Sequence, residues 1–198
     1  MKKLQEVKKH LRPGQVYRRE DVAKWSMSVD RHLKQLVEAG ELTKLSAGVY
    51  YYPRKTAFGA APAEDKNLVE AFLKDDRFLL TSPNAYNALG VGTTQLYNET
   101  VVYNHKRHGQ FKLGGRMFDF RVKPHFPKEV TKEFLLVDLV NNVGRLAENR
   151  TQVLERVKDQ ATRTDQSALQ KAVHDYGAVR TKKFFASLFE SESRAYAT

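Results

Sequence analysis

"LKQLVEAGELTKLSAGVYYYP", residues 33–53, changes its period halfway along. Up to Gly40 the apolar positions recur at helical spacing, and beyond it they recur at the shorter spacing of strands. Extended back to Ser28, the first half places Val29, Leu33, Leu36 and Val37 in one narrow arc of a helix. Arg31 and Gln35 point the opposite way, with Ser28, His32 and Lys34 on the flanks. Ser28 can cap the first turn, and Gly40 suits the left-handed position after the last. "LTKL" and "VYYY" then read as two strands joined by the short turn "SAG".

Upstream, "KKLQEVKKHL" sets Leu4, Val7 and Leu11 at helical spacing before "RPG" stops the helix. "QVY" is a short extended piece, and "REDVAKW" is a second helix with Val22, Ala23 and Trp25 as its apolar contacts. Helix, strand, helix, helix, hairpin is the order of a winged helix-turn-helix, expected over residues 1–55. In that fold the third helix enters the major groove and the hairpin grips neighbouring phosphates. Ser28, Arg31, His32 and Gln35 are then the candidates for base edges, since arginine pairs with guanine and glutamine with adenine. Lys34 flanks them. Arg18, Arg19, Lys24, Lys44, Arg54 and Lys55 are placed for phosphates, which supply affinity without sequence information. Asp30 and Glu38 share the exposed arc and would repel a phosphate.

Charge supports an anionic partner. The chain of 198 residues carries 34 Lys and Arg against 23 Asp and Glu, a formal +11. Residues 1–60 hold 13 of those cations and 6 of the acids, so +7 of the +11 lies in the first third. There is no cysteine, which excludes disulfides and thiolate metal sites and suits a reducing compartment. The N-terminus lacks the apolar core of a signal peptide, and "FLLVDLV" is too short to cross a bilayer and carries Asp138. A soluble cytoplasmic protein with no membrane partner is expected.

The same stretch resembles the wing-bearing segment of the AbiEi-like antitoxins of type IV, abortive-infection toxin–antitoxin systems. In that family a helix ending in "L…L…G.L" runs into a "G.Y.YP" strand. Leu33, Leu36, Gly40, Leu42, Gly48, Tyr50, Tyr52 and Pro53 fill those places here. "SPNAYNALGV" (82–91) and "ETVVYN" (99–104) are similar to a later helix and strand of the family, and the resemblance covers roughly residues 14–145 in order. It implies a repressor that binds double-stranded promoter DNA of its own operon. It also implies a C-terminal domain that counters a nucleotidyltransferase-type toxin.

Beyond the wing, "PRKTAFGAAPAED" reads as a connection, with a linker expected over 56–65 and an α+β domain over 66–198. "EDKNLVEAFLKDD" is a helix, "RFLLT" a buried strand, and Ser82–Pro83 a helix start. "ETVVYN", "QFKLG" and "RMFDFRVK" are three strand-like runs for which a β-meander is the simplest arrangement. "EFLLVDLVNNV", "TQVLERVKDQ", "SALQKAVHDYG" and "AVRTKKFFASLFE" return to helix, and "SESRAYAT" should fray. Lys182 and Lys183 beside Phe184 and Phe185 would suit an acidic partner, against the plainer reading of solvated lysines on a core-facing helix.

No catalytic pattern emerges. "HKRH" spaces His105 and His108 three apart in what reads as a turn, with no carboxylate to complete a metal set. "GVGTTQ" lacks the lysine of a phosphate-cradling loop. The carboxylates are scattered, so neither metal nor cofactor nor enzymatic activity is expected. A protein-docking winged helix without DNA, a stand-alone regulator and a nucleic-acid enzyme remain the alternatives.

Overall fold

A computed structural model describes the backbone of residues 2–195 and the side chains of 3–190, so the end expected to fray (191–198) lies largely outside the described residues. The chain is α+β with a helical C-terminus. Two compact units divide it: Met1–Phe78 with Gly109–Phe118, and Leu79–His108 with Asp119–Thr198.

The first unit begins with α1 (Lys2–His10), β1 (Gln15–Arg18), α2 (Arg19–Ala23), α3 (Val29–Glu38), β2 (Thr43–Ser46) and β3 (Val49–Tyr52). The three strands form an antiparallel sheet in the order β1–β3–β2. Val7, Leu11, Val22, Val29, Leu33, Leu36 and Leu42 close one core between the three helices and the sheet. Each such side chain contributes roughly 1.5–3 kcal/mol by leaving water. The tyrosine run splits by strand alternation. Tyr50 and Tyr52 pack on this core, while Tyr51 turns to the other face and donates its hydroxyl to the carbonyl of Ala61 at 2.9 Å.

The stretch expected as a linker holds a two-stranded ribbon, β4 (Lys55–Thr56) and β5 (Gly59–Ala60). α4 (Asp65–Leu73) follows, burying Leu68, Val69 and Leu73 as its periodicity requires.

β6 (Phe78–Thr81), β7 (Thr100–Asn104), β8 (Gly109–Leu113) and β9 (Arg116–Val122) form a four-stranded sheet in the order β6–β7–β9–β8. This corrects the expected meander, because β7 neighbours β9 rather than β8. Burial explains the choice. β8 leaves Gln110 and Lys112 in water and suits an edge, whereas β9 buries Phe118 and Phe120 and takes the inner place beside β7. The helix expected after Ser82 is a 3₁₀ helix over Pro83–Leu89, started by the Ser82 hydroxyl accepting from Asn84 N–H at 3.2 Å.

In the second unit α5 (Lys132–Asn142) is buried from Phe134 to Val140. A helix apolar all round belongs at the centre of a core. α6 (Arg150–Thr162), α7 (Gln166–Tyr176) and α8 (Val179–Ala195) surround it with Val153, Val157, Leu169, Val173 and Phe185. A polar cluster sits inside. Asp138 accepts from the Tyr86 and Tyr103 hydroxyls, both at 2.7 Å, and from Asn142 Nδ2 at 3.0 Å. Burial outweighs these donors and raises its carboxyl above the usual range. Burial, and then the Asp138 charge, raises both phenols as well.

Candidate nucleic-acid interface

α3 is held at both ends by identifiable bonds. Ala39, Gly40 and Glu41 close its C-terminus, with Gly40 N–H on the Val37 carbonyl at 3.0 Å and Glu41 N–H on that of Leu36 at 2.9 Å. This is a Schellman closure, and it requires the left-handed Gly40, whose φ is +68°. At the N-terminus the sequence expectation is corrected. Ser28 occupies the cap position, but its side chain makes no cap bond. Ser26 braces the segment just before the helix, its Oγ accepting from Ser28 N–H at 3.2 Å and meeting His32 Nδ1 at 2.7 Å.

His32 is a second correction. It was expected beside the base-reading side chains and is buried, 3% exposed. Its position on the flank of a narrow apolar arc put it within reach of the core, and the Ser26 hydroxyl satisfies its ring. A hydroxyl that already accepts from Ser28 N–H has its own proton to give, which suits a neutral imidazole with a lone pair on Nδ1. Burial and then the neighbouring Arg31 lower the pKa of His32, in agreement.

Ser28, Arg31, Lys34 and Gln35 are all exposed. Arg31 and Gln35, one turn apart, project from the same outer face. The hairpin joins this face through its turn. Arg19 N–H bonds the Gly48 carbonyl at 2.8 Å, and the Arg19 guanidinium clasps both Asp30 oxygens at 2.6 Å. The tip of the hairpin, the start of α2 and the first turn of α3 are thereby tied together. Lys44 stands exposed on β2, opposite Tyr50.

Ion pairing sorts the cations. All six acids of residues 1–60 are engaged: Glu6 with Lys9, Glu20 with Arg18 and Lys74, Asp21 with Arg18 and Lys24, Asp30 with Arg19, Glu38 with Lys34, and Glu41 with Lys8. The two acids that would repel a phosphate on the α3 face are thus neutralised, Asp30 with its pKa lowered by the Arg19 hydrogen bond. Exposed pairs add little stability, but they fix where net charge remains. Among the described residues of this stretch, Lys3, Arg12, Arg31, Lys44, Arg54 and Lys55 carry no ion pair. Of the expected phosphate contacts, Arg18, Arg19 and Lys24 are already paired.

The structure also separates residues the sequence grouped. The register Arg18↔Val49 lies at the turn end of the sheet and Gln15↔Tyr52 at the other. Arg54 and Lys55 leave from that second end, beside the turn at Gly14, which bonds the Tyr52 carbonyl at 2.7 Å. Arg12 joins them there, exposed and unpaired. In the sequence "RPG" reads as a helix stop, and no local signal marks Arg12 as a contact. A stacked His10–Trp25 pair at 4.8 Å completes that end. Lys182 and Lys183 lie on α8 of the second unit, both exposed, with Phe185 buried beside them and Phe184 half-buried.

A family model described as a family of unknown function, DUF6088, matches residues 3–173. A crystal structure of the RV2827C protein from Mycobacterium tuberculosis resembles this chain with a TM-score of 0.57 at 15% identity, covering 89% of this chain and 72% of that one. At that identity the likeness is one of fold. No curated protein matches.

Proposed function

As a member of DUF6088, a family of unknown function, the chain takes no activity from its kin, and we propose from its own residues that it is a winged-helix DNA-binding protein, with repression of its own promoter as the role that the resemblance of residues 33–53 implies. The observation that carries this reading is the α3 face. Arg31 is unpaired, Gln35 stands one turn along, and the nearby acids are neutralised, all beside a hairpin anchored to the start of α2. The element order and the sheet order β1–β3–β2 are those of a winged helix and support the same reading. α3 reads base edges, while Lys44 and the hairpin hold phosphates. The protein acts by binding alone, in the cytoplasm.

The antitoxin role rests on the resemblance of residues 33–53. In that role the second unit counters a nucleotidyltransferase-type toxin made from the same operon. Co-expression with a nucleotidyltransferase encoded beside the gene is expected to restore growth that this enzyme alone arrests. An unchanged arrest leaves the regulator without the antitoxin. The DNA reading is tested by titrating duplex DNA from upstream of the gene. Affinity is expected to fall along a straight line in log–log salt plots, because several phosphates shed counterions. A salt-independent or absent interaction would contradict it.

One observation favours a second reading, a protein-docking module. Met27 and Phe58, in the first unit, are fully exposed large apolar side chains. A stable protein complex captured by the wild type and lost on Met27→Ser and Phe58→Ser, with no binding to upstream DNA, would favour docking.

A further inference from the structure

The second unit contains a cleft of about 940 Å³, at the upper end of the size common for small-molecule sites. Its walls come from the turn after β7, the segment after β9 and the α7–α8 connection, three stretches far apart in sequence. Lys123, Lys182 and three histidines, His105, His125 and His174, line it against a single carboxylate, Asp175. That carboxylate is already taken. Lys171 holds it at 2.8 Å and His174 at 2.9 Å, and these partners lower its pKa to about 2. The cleft therefore presents an excess of positive charge. A metal cation is a poor occupant beside two ammonium groups, and among the described residues no three His, Asp or Glu side chains come together as a metal site.

Two aromatic rings, Phe126 and Tyr176, also stand in the walls. His105 stacks on Phe126 at 4.7 Å, and Tyr176 is fixed with its ring against Phe134 at 5.5 Å. The α7–α8 connection is clamped rather than loose. Asn141 donates to the Tyr176 carbonyl at 3.0 Å and accepts from Ala178 N–H at 2.9 Å. Gly177 lies so close to the stem of Lys182 that an added Cβ would come within 3.1 Å of its Cγ. Lys123 is held by its own backbone, bonded to the Asn104 carbonyl at 3.0 Å, and its ammonium lies 5.3 Å over the Tyr103 ring. An aromatic-walled, cationic cleft suits a compact anion with a flat ring better than an extended acidic chain.

We propose that this cleft binds a free nucleoside phosphate, its phosphate held by Lys123 and Lys182 and its base set against Phe126 and Tyr176. The site uses only residues of the second unit and stands or falls separately from DNA recognition by the first.

Calorimetric titration of the full chain with GMP, AMP, CMP and UMP tests it, with tripolyphosphate as the ringless control. At least one nucleotide is expected to bind at a stoichiometry of one. Lys182→Gln should weaken it by about tenfold, the effect of losing one charge-assisted contact. Lys183→Gln, one position along and outside the cleft, should change it less than about twofold. Phe126→Leu should weaken the nucleotide and leave tripolyphosphate unchanged. The proposal is overturned if none of the four nucleotides binds, or if Lys182→Gln and Lys183→Gln act alike. It is equally overturned if tripolyphosphate binds as tightly as the best nucleotide, or if a hexa-aspartate peptide displaces that nucleotide at lower concentration.

Discussion

At the residue scale, the first unit turns on two small devices at the start of α3. The Ser26 hydroxyl joins Ser28 N–H to the His32 ring. Ser26→Ala leaves a buried imidazole nitrogen without its partner and is expected to cost about 1–2 kcal/mol in a denaturant titration. An unchanged midpoint would contradict the assignment. The Arg19–Asp30 clasp acts on charge rather than stability. On the DNA reading, Arg19→Ala frees a carboxylate at the major groove and weakens binding. Replacing both Arg19 and Asp30 with alanine should recover most of the loss, the signature of a coupled pair. Neither device was legible in the sequence. Ser28 has the right residue type for a cap, and only coordinates show that its side chain makes no cap bond while Ser26 holds the Ser28 N–H. His32 was misread because its place on the helix wheel lies at the margin of the buried arc, where packing decides.

At the element scale, α3 and its hairpin were the most legible part of the chain. The change of period at Gly40 is a property of the residues themselves, and the helix, the left-handed glycine and the two strands follow from it. Gly40→Ala must hold a Cβ in the left-handed region and is expected to cost about 1–2 kcal/mol by thermal or chemical denaturation. The two ends of β3 have different roles in the DNA reading. Lys44→Gln should lower affinity on all sequences and reduce the salt slope by about one. Arg54→Gln, at the opposite end of the sheet from the hairpin turn, should reduce it less, and the reverse ranking would move the DNA to the Arg12–Arg54 end. The order of β7, β8 and β9 was not legible. Chain proximity favours a meander, and the burial of β9 against the exposure of β8, which decides against it, is known only after folding.

At the scale of the whole molecule, charge and composition pointed to an anionic partner without saying which unit carries it. The pairing of Glu41 with Lys8, Asp30 with Arg19 and Glu20 with Lys74 is a tertiary fact, and so is the convergence of His105, Lys123 and Lys182 on one cleft. Asp138 looked like one scattered carboxylate among several. Its two tyrosines are 52 and 35 residues away, beyond any local pattern. That buried group gives the fold a pH signature. Both phenols are raised above their unfolded value of about 10, so the folded state keeps protons that the unfolded chain releases. The corresponding stability is fully present below about pH 10 and is lost as pH rises beyond it. Replacing Tyr86 and Tyr103 with Phe should lower stability at neutral pH by about 1–3 kcal/mol per lost donor and flatten the alkaline decline. Among the described residues no helix is long and apolar enough to cross a membrane. The central claim concerns the outward face of α3. Its most direct test is the ratio of affinities for upstream DNA and a scrambled duplex, measured by fluorescence anisotropy for the wild type and the Arg31→Ala/Gln35→Ala variant. The wild type should prefer upstream DNA and the variant should lose at least about tenfold of that preference while still binding both duplexes. An equal ratio in the two proteins, or no preference in the wild type, would contradict it.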